Sequence, residues 1–221
     1  MTARLYQFVS SPYCSKVRKI LDFKGIEYEV VELDYLERKE LLAASGQLMV
    51  PALTLEGGET IVDSAKIAAR LEELQPEPTI LPPGWRGMHR VLADYIDTVL
   101  GEVLFRAAVP DKAAYYASEG KDRGAMWRLI RERHYGAGFV DQMIASHKTE
   151  MTRAAAALAP FEEALSERPF ILGRIGLADF SLYGQLCHFT FTGTNGIPAE
   201  LKAVLAFYGR MDRISSAPEP A

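Results

Sequence analysis

The chain has 221 residues, of which 48% are hydrophobic and 24% charged, so it can form one large domain or two small ones around a buried core. Its 25 Lys and Arg against 29 Asp and Glu give a net charge of -4, which argues against a protein that binds nucleic acid through phosphates. No apolar run reaches the roughly 18 residues of a membrane span, and we expect no signal peptide. The two cysteines, Cys14 and Cys187, cannot form a disulfide framework, so reduced thiols in a cytoplasmic protein are expected.

The first third of the chain alternates between strand and helix patterns. Branched and aromatic residues, bounded by turn residues, predict four strands, at residues 4–9, 28–33, 50–55 and 60–62. Helical spacing predicts three helices, one ending before Gly25, one at residues 37–44 and one from Asp63-Ser64 to Leu74. The predicted order is βαβαββα.

A proline-rich segment separates this part from a helical remainder. Four prolines lie within residues 75–83 and are typical of a linker. Apolar periodicity then predicts helices over residues 88–104, 125–144, 150–165 and 201–208, and another helix that begins at Gly176 with Asp179 as its capping residue. We predict a polar lid or loop at residues 111–124, a solvated helix face at Arg128, Arg131 and Arg133, and a frayed tail at residues 215–221. The domains expected are therefore residues 1–76 (α/β) and 84–221 (all-α), with a linker at residues 77–83.

The segment Ser11-Pro12-Tyr13-Cys14 is the most informative motif for function. It lies between the first strand and the first helix, and so places a hydroxyl at the positive end of a helix. Exposed N–H groups and the helix dipole favour an anion there, and a thiolate in that place would have a lowered pKa.

Strand, X-Pro-Tyr-Cys and amphipathic helix resemble the glutaredoxin active site, with Ser11 in the place of its first cysteine. Together with Val50-Pro51, Asp63-Ser64, the proline linker and the helical second part, the chain resembles a cytosolic glutathione S-transferase over residues 4–208. The resemblance implies a thioredoxin-like N-terminal domain that binds glutathione as a co-substrate, followed by an all-helical domain.

The resemblance also implies roles for particular residues. Ser11 would be the catalytic residue that stabilises the glutathione thiolate, with Ser10 as the alternative, and Tyr13 would belong to the binding site. A cis Val50-Pro51 bond would present the Val50 backbone to the cysteinyl part of glutathione. Asp63 and Ser64 would hold the γ-glutamyl end, although either could simply cap a helix.

The glycine carboxylate of glutathione calls for a basic or amide side chain. Lys39 and Gln47 are the residues predicted to bind this carboxylate, and Arg38 is a further candidate. Solvated surface charge is the competing interpretation for each basic residue. Cys14 is expected to be a buried, inert thiol.

The expected function is activation of the glutathione thiol for attack on a small apolar electrophile. The family resemblance implies a homodimer, and the sequence contains no metal-ligand spacing among its histidines and cysteines. Candidate electrophile-binding residues are Phe105, Arg106, Tyr115, Tyr116, Trp127 and Tyr135. Two alternatives remain open: a non-catalytic glutathione-binding or protein-interaction module, and glutathione-linked reduction through Cys14.

Overall fold

A four-stranded sheet with strand order β2-β1-β3-β4 forms the N-terminal part of the computed structural model, which describes residues 2–214. Its strands are β1 (Ala3–Gln7), β2 (Tyr28–Glu32), β3 (Ala52–Thr54) and β4 (Thr60–Val62). β1 pairs in parallel with β2 and antiparallel with β3, and β4 runs antiparallel to β3. The helices are α1 (Pro12–Lys24), α2 (Lys39–Ser45) and α3 (Ser64–Leu74). This confirms the predicted thioredoxin-like order.

Helix α1 is specified at both ends by its sequence. Pro12 opens the helix, where its missing N–H costs nothing, and the Ser11 side chain accepts a hydrogen bond from the Cys14 amide. At the other end Gly25 adopts the left-handed conformation at φ 67° and donates its N–H to the last turn. Its buried face, which includes Val17, packs into the core. The start of α1 is therefore fixed in space.

The remainder of the described chain is helical. Its helices are α4 (Arg86–Tyr95), α5 (Gly101–Ser118), α6 (Lys121–Tyr135), α7 (Phe139–Ala145), α8 (His147–Glu167), α9 (Leu177–Phe189) and α10 (Lys202–Asp212). A π-helical turn, Ile96–Leu100, joins α4 to α5. Across residues 2–214 no helix has the length and apolar character needed to cross a bilayer. The predicted tail at 215–221 lies outside the described residues.

The predicted connection at residues 111–124 is wrong. Most of it is helical, because α5 runs to Ser118 and α6 begins at Lys121. The polar residue Asp111 is buried in α5, where it accepts hydrogen bonds from the Thr192 hydroxyl and the Asn195 amide. Tertiary partners thus satisfy the polar groups that suggested a solvated loop.

The single helix predicted over residues 125–144 is also wrong. Gly136 has φ 102° and Gly138 has φ 79°, and this left-handed backbone ends α6 and separates it from α7.

The two parts of the chain pack together most extensively through α1 and α9. A Cβ added at Gly184 of α9 would lie 2.4 Å from the carbonyl oxygen of Pro12, so the absence of a side chain permits this close approach. Lys16 of α1 adds a buried ion pair, with its Nζ 2.6 Å from Asp97 Oδ2 in the π-helical turn. The start of α1 is consequently held against the helical part.

Candidate active site

The loop that precedes α1 is fixed by one carboxylate. Glu32, at the end of β2, accepts hydrogen bonds from the Gln7 side chain at 2.8 Å and the Val9 amide at 2.7 Å. The Ser11 amide donates to the Phe8 carbonyl at 2.9 Å and completes the turn. These bonds place the Ser11 side chain at the N-terminus of α1, where the helix dipole favours negative charge.

The two neighbouring serines have different partners. Ser10 is buried, and its hydroxyl lies 2.8 Å from the Tyr116 hydroxyl. Ser11 is half-buried, and its oxygen accepts from the Cys14 amide at 3.4 Å, while its hydroxyl lowers the pKa of the Cys14 thiol. The Ser10 hydroxyl is therefore tied to Tyr116 of the helical part, whereas the Ser11 hydroxyl interacts within the first turn of α1.

A cleft of about 420 Å³ opens between the two parts of the chain. Its wall from the N-terminal part comprises Phe8, Ser10, Ser11, Pro12, Tyr13, Tyr35, Arg38, Leu48, Met49 and Val50. Its wall from the helical part includes Phe105, Lys112, Tyr116, Trp127, Arg131, Tyr135, Gln185 and His188. The cleft thus joins the predicted site to a surface that combines aromatic rings with a few charged side chains, as ligand pockets commonly do.

Tyr13 and Val50 both lie in this cleft. The Tyr13 hydroxyl donates to the Asp97 carbonyl at 3.0 Å, and burial, together with the charges of Asp97 and Asp63, raises its pKa. Val50 precedes Pro51 through a cis peptide bond.

Asp63 and Ser64 start α3 beside the cleft rather than in its wall. The Asp63 carboxylate caps the helix by accepting from the Ala65 amide at 2.9 Å and the Lys66 amide at 3.1 Å. Asp63 has φ 82°, an unusual conformation for a residue other than glycine, and such conformations are concentrated at functional sites. Ser64 is buried.

The three candidates for a carboxylate partner occupy different environments. Arg38 lies in the cleft wall, where its guanidinium stacks 4.9 Å from the Phe8 ring centroid and donates to the Leu48 carbonyl at 3.1 Å. Gln47 uses its amide to hold its own loop, donating to the Met49 carbonyl at 2.7 Å. Lys39 is 87% exposed and pairs with a neighbouring glutamate outside the cleft wall.

Cys14 is buried, as predicted. Burial raises the pKa of its thiol to about 11, so little thiolate forms near neutral pH. The free thiol of Cys187, on α9, also has a raised pKa because it is buried.

The sequence missed three basic residues of the cleft wall. Lys112 was assigned to a loop, His188 carried no pattern, and Arg131 was expected on a solvated face. The expectation for Arg131 is wrong, since this side chain contacts the rings of Phe105 and Trp127. Its helical spacing relative to Trp127 was the one available signal, because residues four apart share a helix face.

A four-stranded sheet of thioredoxin type followed by a helical remainder is the architecture of the glutathione S-transferase fold. Residues 5–79 match the family model for the glutathione S-transferase N-terminal domain. The chain is 34% identical over 160 residues to a probable glutathione S-transferase, GSTU6, of Oryza sativa subsp. japonica, with 62% of this chain and 67% of that protein covered. The chain belongs to the glutathione S-transferase family.

Other relatives are matched over shorter stretches. The chain is 35% identical over 100 residues to the maleylacetoacetate isomerase of Mus musculus, covering 42% of this chain and 46% of the isomerase. It thus spans less than half the length of that relative, and only 18% of the prostaglandin E synthase 2 of the same species.

Solved structures agree with the fold over the whole chain. A glutathione transferase from Phanerochaete chrysosporium superposes with a TM-score of 0.80 at 15% identity, covering 99% of both chains. A glutathione S-transferase of Ceriporiopsis subvermispora, solved in complex with glutathione, gives 0.77 at 19% identity, covering 100% of both.

Proposed function

We propose that this chain is a glutathione transferase enzyme, which binds reduced glutathione as co-substrate and directs its thiolate at an electrophile held by the helical part. One observation carries the proposal: the Ser11 hydroxyl, at the start of α1, lines a cleft whose opposite wall contains the rings of Phe105, Tyr116, Trp127 and Tyr135. Relatives named glutathione S-transferase support it. The reaction class is transfer of the glutathionyl group.

Ser11 would act by stabilising negative charge on sulfur. A thiol with a pKa near 8.5 that is lowered by about two units gains roughly 2.7 kcal/mol for its anion. A hydroxyl donor together with the amides and dipole of a helix N-terminus can supply that amount. The thiol proton leaves to solvent, the sulfur lone pair forms the new S–C bond, and the leaving group departs with its bonding electrons.

The rest of glutathione would extend from Ser11 along the N-terminal wall. The Val50 backbone would pair with the cysteinyl part, next to Pro51 and near Tyr13. Asp63 and Ser64 would hold the γ-glutamyl end. In this placement the start of α3 would offer the Asp63 carboxylate to the amine of that end, and the Ser64 hydroxyl and helix N-terminus to its carboxylate.

Arg38 is the basic side chain best placed for the glycine carboxylate. It is held in the cleft wall by its stacking on Phe8 and Tyr35, so little side-chain freedom remains to be lost on binding. Gln47 and Lys39 remain candidates, but the first would have to release Met49 and the second would have to turn from solvent.

We also propose a homodimer in the cytoplasm. Met88, Val91 and Tyr95 share one face of α4 and are 46%, 65% and 42% exposed, and such apolar patches mark interaction sites. The two unpaired thiols fit a reducing compartment.

Calorimetric titration with reduced glutathione tests the activation step. Near neutral pH and one unit lower, in buffers of different ionisation enthalpy, the wild-type protein should bind glutathione and release a proton. Ser11→Ala should still bind it but release less, because the bound thiol pKa should rise by about one unit or more. Conjugation activity should fall in parallel.

Two matched variants make the outcome specific. Ser10→Ala should retain proton release, since that hydroxyl is engaged by Tyr116, and Cys14→Ser should retain conjugation. Glutathione bound by the wild-type protein without proton release would favour a non-catalytic binding module. No saturable binding at millimolar glutathione would refute the proposed function.

A further inference from the structure

The inner part of the cleft brings together three basic side chains from three helices. Lys112 belongs to α5, Arg131 to α6 and His188 to α9, and all three lie in the cleft wall. They are close enough to affect one another: burial and the charges of Lys112 and Arg131 together lower the pKa of His188 to about 3, although its hydrogen bond to the Ser10 carbonyl raises it. The two carboxylates of this wall are paired elsewhere, Asp97 with Lys16 and Glu102 with Arg106, so the unpaired charge on the wall opposite the glutathione side is positive.

Lys112 is a buried basic residue whose amine has no hydrogen-bond partner among the described residues. Its side chain is 2% exposed, and its Nζ makes no hydrogen bond to any residue in the described range 2–214. The nearest aromatic group is the ring of Phe191, whose centroid lies 3.9 Å from Nζ. The adjacent carboxylate, Asp111, is occupied by the Thr192 hydroxyl and the Asn195 amide. A buried charge without a partner is costly, so this position suits a ligand that brings an anion.

Arg131 adds a second cation with free donors. Its Nε is buried without a hydrogen-bond partner, and the part of the chain described here places no carboxylate within ion-pair distance of its guanidinium. The group lies 5.2 Å from the Phe105 ring centroid and 5.5 Å from that of Trp127. The planar guanidinium is thus fixed against rings and keeps the fork of donors that matches a carboxylate.

His188 contributes an acceptor rather than a charge. Its Nδ1 lies 2.7 Å from the Ser10 carbonyl, which can only accept, so Nδ1 carries the proton. Nε2 is left as a buried acceptor without a partner among residues 2–214. The positive charge available to a ligand accordingly comes from Lys112 and Arg131.

We infer that the electrophile is an aromatic compound bearing an anionic group, a carboxylate above all, which Lys112 and Arg131 bind while Phe105, Tyr116 and Trp127 contact its ring. This electrophile differs from the apolar one expected from the sequence, because it joins an apolar ring to an anionic group. The inference rests on the proposed function, since it assigns the second substrate of that site.

Calorimetry with the full chain, saturated with glutathione, tests this substrate class without an enzymatic assay. The probes are 2-naphthoate and its uncharged counterpart 2-naphthamide, which differ in charge and share the ring. The carboxylate should bind at least about tenfold more tightly. Lys112→Met should weaken that preference severalfold while leaving glutathione binding intact, and the exposed Lys121→Met should change neither.

A pH series with the wild-type protein supplies a test that needs no variant, and it is run without glutathione because the bound thiol is proposed to titrate in the same range. Burial lowers the pKa of Lys112 to about 7, while Asp111 on its own helix raises it and Arg131 on α6 lowers it. A carboxylate probe remains ionised above pH 6, so its affinity should fall as Lys112 loses its proton through that range, whereas naphthamide affinity should not.

The outcomes separate the two proposals. Glutathione binding with proton release, but equal affinity for naphthoate and naphthamide, would overturn the anionic substrate class and leave the transferase function standing. A naphthoate preference that is undiminished in Lys112→Met would also overturn it. Failure of glutathione itself to bind would instead remove the proposed function on which this inference rests.

Discussion

Gly184→Ala should destabilise the protein, although helix propensity alone predicts the opposite. In a helix interior, alanine is favoured over glycine by about 1 kcal/mol. At position 184, however, the new Cβ would lie 2.4 Å from the Pro12 carbonyl oxygen and 3.1 Å from Lys16 Cβ. A backbone carbonyl cannot rotate away, so α1 must move, and overpacking of this kind costs up to about 3 kcal/mol. We expect a net loss of about 2 kcal/mol.

Gly209→Ala is the matched control. Gly209 lies in α10, and a Cβ there would meet its nearest neighbour, Arg213, at an ordinary 3.7 Å. It should gain up to about 1 kcal/mol, so the two alanine variants should differ by about 3 kcal/mol in urea unfolding with unchanged m-values. Gly184→Ala should also weaken glutathione binding, because Pro12 adjoins Ser11. Equal stability of the two variants would refute the close-packing argument.

Two further variants test the linker and the exposed face of α4. Lys24 is fully buried and bonds Glu72 and the carbonyls of Gln75 and Pro78, where α3 meets the linker. Lys24→Met should therefore lower the free energy of unfolding by about 3–5 kcal/mol. The exposed Lys39→Met should change it by less than about 0.5 kcal/mol in the same urea titration. Val91→Glu should shift the mass measured by sedimentation from dimer toward monomer. Leu129→Glu, which also changes an exposed apolar residue but on α6, should leave that mass unchanged. A monomeric wild-type protein would contradict the proposed homodimer.

The elements of the N-terminal part could be predicted because their ends are locally encoded. Gly25 ends α1 in the left-handed conformation, and Asp63 caps α3 with its own side chain. Such signals act within a few residues and are therefore visible in one sequence. The breaks inside the helical part, at Gly136 and Gly138, were missed because a glycine within an apolar period does not by itself indicate a particular backbone angle.

The basic residues of the inner cleft could not be found by the same means. Asp111 and Lys112 are adjacent charged residues, a composition typical of a solvated loop. Their burial depends on Thr192, Asn195 and Phe191, which follow α9 some eighty positions later in the chain. Only a tertiary contact distinguishes a buried cation from a surface one, and local sequence does not encode that contact.

Arg38 and Lys39 show the same limit at closer range. Both lie where α2 begins, and either charge could serve a carboxylate. Arg38 precedes the helix with φ -119° and ψ 22°, so its side chain leaves the backbone in a direction that helical periodicity does not predict. The rings of Phe8 and Tyr35 then decide between the two, because a planar guanidinium stacks on them and an ammonium is better hydrated in water. For this reason the cleft takes Arg38 into its wall and leaves Lys39 in solvent.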